Sequence, residues 1–363
     1  MEFNLIRCFK KMSAMVIIIT VVVFLLTLAA CAPSGPQTFS VQVGSEDTTN
    51  GLEIDAFLPN YLQVNVGDTI IFSQKTHELH TITFNAPNPL PNVFLNQRMN
   101  TVIANPLVFL PSTAVKTTTT GSNISRSVKF DGSSYVNSGV LQTPGDSFAV
   151  TFSKQGTYQF NCLFHPASES GTVTVNPAGS GYYQGQSDIT SGVNQALGEY
   201  FQSAANFSLN LSAPLVVENA DGTHTYTVLA GLGDESQGFD FMYFFGGANL
   251  TIKVGDQVTW TVSKNTPGMI HTITFLSGSP EPDFIIPQSP SSSTSLSVNP
   301  QVANPSPSSP LPYSGSGYYN SGLLISNGIR QNYTLTFTKP GKYDYTCVPH
   351  DDMGMKGTIT VNP

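Results

Sequence analysis

Hydrophobic and polar residues alternate along most of this chain, in short segments that Gly, Pro, Asn and Asp interrupt. Residues 62–72 and 250–260 are typical, because each gives an alternating strand, a Gly-Asp turn and a second strand. Helical periodicity is almost absent, although residues 193–201 could form a short helix. A period of two with frequent turns predicts an all-β protein built from Greek-key β-sandwiches.

The same pattern occurs twice, with a separation of about 190 residues, which indicates duplicated domains rather than short solenoid units. Residues 80–84 correspond to 271–275, and both copies close with a similar strand before Asn-Pro. We therefore predict two tandem domains with long inserted loops. Their predicted bounds are 38–177 for the first domain, 178–222 for the linker and 223–363 for the second domain.

The N-terminus predicts export and attachment to a membrane. Basic residues precede the apolar run 15–30, as in a signal peptide. Residues 28–31, Leu-Ala-Ala-Cys, resemble the bacterial lipobox, which implies that residues 1–30 are removed and that Cys31 carries lipid. An uncleaved transmembrane anchor is the alternative, although the run is slightly short for a span. Both interpretations place the residues after the apolar run outside the cytoplasm. Residues 31–37 then form a flexible tether.

Composition narrows the choice of partner. Charged residues make up only 10% of the chain, and without residues 1–30 it carries 12 basic and 22 acidic residues. A net negative charge argues against a nucleic-acid partner and is compatible with a basic protein partner.

Two cysteines remain once Cys8 is assigned to the signal peptide and Cys31 to lipid. Cys162 and Cys347 occupy equivalent positions in the two copies, so we do not expect a disulfide between them. Each copy also has one upstream histidine and a second histidine three residues after the cysteine.

Each copy thus combines two imidazoles with one thiolate. The predicted metal ligands are His80, Cys162 and His165 in the first copy, and His271, Cys347, His350 and Met355 in the second. Two imidazoles and a thiolate with a weak axial methionine form the blue-copper pattern. A structural zinc site or an apolar thiol is the alternative, and Met355 argues against zinc.

The Gly-Asp turn, the early histidine and the Cys-x-Pro-His-x₄-Met-x-Gly segment resemble the cupredoxin family, particularly its plastocyanin, azurin and auracyanin group. This resemblance implies a lipid-anchored blue-copper electron carrier at the outer face of a prokaryotic cell membrane, or in the periplasm. It implies redox partners such as basic cytochromes or membrane complexes. A protein that binds or delivers copper without carrying electrons is the alternative.

The first copy departs from this family pattern after His165, where the loop is one residue shorter and contains no methionine. The sequence leaves four alternatives for its axial ligand: Glu169, Ser170, a backbone carbonyl or Met99. Loss of copper binding in this copy is a further alternative. An oxygen donor in place of a thioether would stabilise Cu(II) and lower the potential.

Histidine counting argues against an enzyme. Four of the six histidines belong to the two predicted sites, which leaves His77 and His224. These two histidines are too few for the trinuclear copper cluster of the family's oxidases or for a type 2 nitrite-reductase site.

Each copy has a long segment between its first histidine and its cysteine, with Pro-rich and Ser/Thr-rich stretches. Loops of this length are functional or mobile, and we expect mobile decoration rather than a flap that docks a partner.

Overall fold

The computed structural model describes residues 35–98, 101–207, 213–266, 268–287, 296–307, 312–326, 328 and 330–363. The predicted signal peptide, Cys31 and Met99 lie outside these residues. Within the described ranges, no helix combines the length and the apolar character needed to cross a membrane.

The first domain is a sandwich of two sheets, which confirms the predicted all-β class. Its elements are β1 Thr38–Asp47, β2 Leu52–Leu58, β3 Tyr61–Asn65, β4 Thr69–Gln74, β5 Thr83–Phe84, β6 Phe94–Arg98, β7 Thr101–Ala104, α1 Pro106–Phe109, β8 Lys116–Thr120, β9 Asn123–Phe130, β10 Val136–Asn137, β11 Ser147–Phe152, β12 Gly156–Asn161 and β13 Ser170–Asn176. One sheet runs β2-β1-β4-β11-β9-β8 and the other β10-β5-β12-β13-β3. Alternate residues of both sheets meet in the core, where the Phe72 and Phe160 rings lie 5.1 Å apart.

The second domain repeats this arrangement. Its elements are β14 Leu215–Glu218, β15 His224–Asp234, β16 Phe239–Phe245, β17 Asn249–Lys253, β18 Gln257–Val262, β19 Thr274–Phe275, β20 Ile285–Pro287, β21 Leu296–Val298, α3 Pro300–Ala303, β22 Pro305–Ser306, β23 Tyr319–Ser321, β24 Asn332–Thr336, β25 Gly341–Thr346 and β26 Lys356–Asn362. One sheet contains β24-β18-β15-β16, with β14 beside β15, and the other runs β17-β26-β25-β19-β23-β22. Trp260 is completely buried between them.

The two domains share one continuous sheet, because β2 pairs antiparallel with β16. The register sets Ile54 opposite Phe239 and Glu53 opposite Asp240. Helix α2, Gln186–Asn206, covers one face of this junction, where Ile54 and Phe239 belong to an apolar cluster that includes Ala204 of the helix. The helix is longer than the segment 193–201 that the sequence indicated, and both α2 and β14 lie inside the stretch predicted as linker.

The described parts of the two long segments are structured rather than free loops. Each contains a two-stranded hairpin, β6–β7 or β20–β21, followed by a short helix. Phe109 of α1 and Val302 of α3 are buried in the same apolar cluster, so the two segments pack into the interior. The expectation of mobile decoration does not hold for these residues.

The same residue types hold the two short helices in place. Asn105 and Asn299 cap α1 and α3, and each side chain accepts a hydrogen bond from the backbone N–H two residues later, at 3.0 Å. The side-chain amides of Asn137 and Asn320 donate to carbonyl groups of α1 and α3 respectively. Since both asparagines lie next to the metal-site strands β5 and β19, the inserted segments are tied to the predicted sites.

Candidate metal centres

The predicted residues of the second site come from two parts of the fold. His271 precedes β19 and forms an isolated bridge with Leu324, donating its backbone N–H at 3.0 Å and accepting one at 2.8 Å. Cys347 and His350 lie in the loop between β25 and β26, which contains a 3-10 turn at Val348–His350. The sandwich therefore brings the upstream histidine against this loop.

Three donor atoms converge in this second site. Nδ1 of His271 lies 3.2 Å from Nδ1 of His350, and the Sγ atom of Cys347 lies 3.8 Å and 3.4 Å from these two nitrogens. Separations of this size are what bonds of about 2.0–2.3 Å to a single central ion produce. All three side chains are buried, so the donor set fits one mononuclear transition-metal ion.

Backbone hydrogen bonds fix the loop that carries the cysteine. The Cys347 N–H donates to the carbonyl of Met355 at 3.0 Å, which closes the loop at its base. The Thr272 N–H donates to Cys347 Sγ at 3.3 Å, and the Thr272 hydroxyl accepts from the Val348 N–H at 2.9 Å. The Met355 side chain is completely buried in the same apolar cluster as Cys347. The thiol is therefore held in a fixed, dry position.

The first site repeats this scaffold with His80, Cys162 and His165, all buried. His80 exchanges backbone hydrogen bonds with Leu141, as His271 does with Leu324. The Thr81 N–H faces Cys162 Sγ at 3.5 Å. Cys162 and Cys347 are both free thiols, in keeping with the expected absence of a disulfide.

Glu169 occupies the position in the first site that Met355 occupies in the second. The Cys162 N–H donates to the carbonyl of Glu169 at 2.9 Å, which matches the bond from Cys347 to Met355. The carboxylate Oε2 of Glu169 lies 2.6 Å from Nδ1 of His80 and 3.4 Å from Nδ1 of His165. Burial alone would raise the pKa of Glu169, but the two imidazoles lower it to about 2. An ionised oxygen donor thus joins the two imidazoles and the thiol.

Ser170 points away from this first site. Its side chain is exposed at the start of β13, whereas Glu169 before it is buried. Among the alternatives left open by the sequence, Glu169 is the residue with a side-chain donor in contact with both histidines, and Met99 lies outside the described residues.

A carboxylate from the first domain contacts the second site. Oε2 of Glu78 lies 2.8 Å from Nε2 of His350, which fixes the imidazole with its Nδ1 directed toward Cys347. Burial opposes the charged form of His350, but Cys347 and Glu78 raise its pKa to about 10. The second site therefore includes a residue that lies only two positions before His80.

The two remaining histidines lie outside these sites. His77 is partly exposed, and its Nδ1 is 2.8 Å from Glu46. His224 begins β15, also partly exposed, with Nδ1 3.6 Å from Asp256. The imidazole of each histidine faces a carboxylate that is more deeply buried than the imidazole itself.

Sequence reasoning missed several acidic residues near the sites. Glu78 and Asp240 reach the sites across the domain junction, whereas Glu53 and Asp55 lie on β2 of the first domain, and no local spacing reveals these contacts. One signal was available, because Glu53 and Asp55 interrupt the otherwise apolar strand β2 in a chain that has few charges.

A β-sandwich that gathers two imidazoles and a thiolate in a buried pocket defines a class of mononuclear copper proteins. The sequence model described as copper-binding proteins of the plastocyanin/azurin family matches residues 47–176 and 235–362. This chain belongs to that family and contains two copies of its domain. The predicted family, the tandem β-sandwich fold and copper as the cofactor are confirmed.

Individual relatives match only parts of the chain. Plastocyanin of Ginkgo biloba is 30% identical over 122 residues, which are 33% of this chain and 88% of the ginkgo protein. Chloroplastic plastocyanin of Physcomitrium patens is 44% identical over 36 residues, 10% of this chain and 21% of that protein. A solved structure of an amicyanin mutant in the Cu(I) form is 22% identical, with a TM-score of 0.21, and covers 43% of this chain and 97% of amicyanin.

The contact between Glu78 and His350 generates a first prediction. Glu78→Gln keeps an acceptor for the imidazole but removes a negative charge that favours the more positive Cu(II) state. We expect the potential of the second site to rise by tens of millivolts, at about 60 mV for each tenfold change in relative affinity for the two oxidation states. Voltammetry in a Cys162→Ser background isolates this site. Glu46→Gln is the matched control, because Glu46 contacts His77 in the same way. An unchanged or lower potential in Glu78→Gln would refute this role.

Proposed function

We propose that this chain is a membrane-anchored, extracytoplasmic electron-transfer protein with one copper site in each domain. The observation that carries the proposal is the convergence of two imidazole nitrogens and one thiol in each of two buried pockets. Bound copper would supply a one-electron couple between Cu(I) and Cu(II). His271, Cys347, His350 and Met355 are the proposed ligands in the second site, and His80, Cys162, His165 and Glu169 in the first.

The protein's own part in this function is to keep the donor atoms fixed. The Cys347 and Cys162 loops are each closed by a backbone hydrogen bond of about the same length, 3.0 and 2.9 Å. The pockets are buried, so water does not compete for the donors. A pocket that keeps its shape in both oxidation states favours rapid electron exchange over copper delivery, which requires ligands to open.

The difference between the fourth donors of the two sites predicts the direction of electron transfer between them. Met355 offers a thioether that favours Cu(I), whereas the ionised carboxylate of Glu169 favours Cu(II). We therefore propose that the first site has the lower potential, and that an electron entering there passes to the second.

A short path supports this relay. Glu78 precedes His80 by two residues and contacts Nε2 of His350 at 2.8 Å. The proposed ligands of the two sites are thus linked by three consecutive residues of backbone and one hydrogen bond.

The rest of the proposal concerns location and partners. Lipid on Cys31 and the tether 31–37 would hold the two domains at the outer face of a prokaryotic cell membrane. The net negative charge suits basic redox proteins such as cytochromes, or membrane complexes. We propose no catalytic activity, because the two remaining histidines, His77 and His224, each face a carboxylate away from both metal sites.

Removing the thiols tests the ligand assignment. The wild-type chain with copper should absorb intensely in the visible region, because the thiolate donates charge to Cu(II). Cys347→Ser should abolish the band of the second site, Cys162→Ser that of the first, and the double variant should be colourless. Circular dichroism checks that each variant is folded. Colour in the double variant would contradict the assignment.

The fourth donor of the first site can be exchanged. In a Cys347→Ser background, Glu169→Met should raise the potential of the first site toward that of the second, because an anionic oxygen is replaced by a thioether. Voltammetry measures both potentials, with Ser170→Met as the control at the neighbouring exposed position. Equal potentials in the two wild-type sites, or no copper in the first, would remove the relay.

Lipid attachment has a separate test. Cys31→Ala should abolish incorporation of a fatty-acid analogue and release the protein from the membrane fraction, whereas Cys8→Ala should leave both unchanged. Label that persists on Cys31→Ala would defeat the lipobox interpretation.

A further inference from the structure

Strand β2 carries two carboxylates in an otherwise apolar sequence. Glu53 and Asp55 are completely buried. Because side chains alternate along a strand, they lie on the face opposite to Ile54, which packs in the apolar cluster under α2. The two carboxylates therefore face the first metal site rather than the helix.

The second domain adds a third carboxylate to this face. Asp240 of β16 lies opposite Glu53 in the sheet register and diagonal to Asp55. Its side chain is 1% exposed, and within the described ranges neither of its carboxylate oxygens has a hydrogen-bond partner. Burial and the neighbouring Asp55 raise the pKa of Asp240 well above its usual range.

The carboxylates of β2 have no hydrogen-bond partner either, although each lies 3.7 Å from an imidazole nitrogen, Glu53 from Nε2 of His80 and Asp55 from Nδ1 of His165. All four oxygens of Glu53 and Asp55 lack a hydrogen-bond partner among the residues that the structure describes. A buried carboxylate without compensation is costly, so such groups are normally paired, protonated or bound to a metal. Two imidazoles, His80 and His165, face four buried carboxylates here once Glu169 is included, so a metal ion or shared protons must supply the remaining compensation.

His80 adds an imidazole nitrogen to this group. One donor atom each of Glu53, Asp55 and His80 lies within 4.8 Å of the other two. Nε2 of His80 is 3.7 Å from Oε1 of Glu53, whereas Nδ1 on the other side of the ring faces Glu169. The Thr76 hydroxyl also lies 3.0 Å from Nε2.

Gly44 keeps the space beside these donors open. Its φ of +65° is in the left-handed region, and a Cβ atom there would lie 3.1 Å from Nε2 of His80 and 3.3 Å from Oε1 of Glu53. A larger residue would therefore crowd both donor atoms.

We propose that Glu53, Asp55 and Nε2 of His80 bind one divalent first-row transition-metal ion beside the first copper site, and that Asp240, diagonal to Asp55 across the strand pair, turns toward the ion as a further ligand. Carboxylates with one imidazole are a donor set that also accepts Mn²⁺, Fe²⁺ or Zn²⁺, and soft thiolate ligands draw copper to the two cysteine sites. Because Asp240 belongs to the second domain, the ion ties the domains together at the β2–β16 junction. His80 bridges the ion and the first copper, and this bridging alone rests on the proposed function.

Mn²⁺ is the probe, since it binds carboxylates and is visible by EPR. The copper-loaded full chain in detergent, dialysed against Mn²⁺, should retain one Mn²⁺ per chain in addition to its copper. Asp240→Asn and Glu53→Gln should each weaken Mn²⁺ binding at least tenfold and leave the copper content unchanged. Glu199→Gln, an exposed carboxylate on α2, is the control for nonspecific binding.

Stability supplies a second readout. The metal-free Glu53→Gln chain should unfold at a temperature equal to or above that of wild type, because a neutral amide costs less to bury than a carboxylate that has no hydrogen bond. Mn²⁺ should raise the unfolding temperature of wild type and not that of the variant. No Mn²⁺ beyond the copper content, or equal affinity in wild type and Asp240→Asn, would overturn the site and leave shared protons as the compensation.

Different measurements test the copper sites and the Mn²⁺ site. Asp240 is not a proposed copper ligand, so loss of Mn²⁺ on Asp240→Asn supports the new site even where the first site holds no copper. Bound Mn²⁺ should broaden the Cu(II) EPR signal that remains in Cys347→Ser and not the one that remains in Cys162→Ser. Equal effects on both signals would overturn the bridging by His80.

Discussion

The antiparallel pairing of β2 with β16 is the contact on which the rest of the structure depends. Its register sets Ile54 opposite Phe239 under α2, and Glu53 opposite Asp240 on the other face. A slip of one residue would exchange the two faces and bury carboxylates under the helix. The same pairing orients the domains so that Glu78 of the first domain reaches His350 of the second. One backbone register thus sets the domain junction, the carboxylates beside the first site and the contact between the two sites.

The duplicated sites share a scaffold and differ in chemistry. Each cysteine N–H donates to a carbonyl across the loop, and that carbonyl belongs to Met355 in the second domain and to Glu169 in the first. Because the first loop is one residue shorter, Glu169 rather than Ser170 follows the closing turn with its side chain inward. The residue at this position is glutamate in place of methionine, so a hard donor replaces a soft one with no change in the two histidines or the thiol.

The sequence contained the local part of this arrangement. The alternating strands, the repeat and the spacing of Cys347, His350 and Met355 predicted the fold and the family, because these features depend on residues close together in the chain. Glu169 remained one of several options, since choosing it requires the backbone path of a loop. Glu78 and Asp240 were missed because their contacts cross the domain junction. The inserted segments were expected to be loose, although Phe109 and Val302 bury them in one shared cluster.

We propose that two buried sites with the same three donors hold copper with different fourth donors. Quantitative copper analysis combined with Cu(II) EPR of the oxidised wild-type chain tests this arrangement. We expect two copper ions per chain and two distinct EPR signals of equal intensity. A single copper per chain, or two copper ions with identical signals, would contradict it.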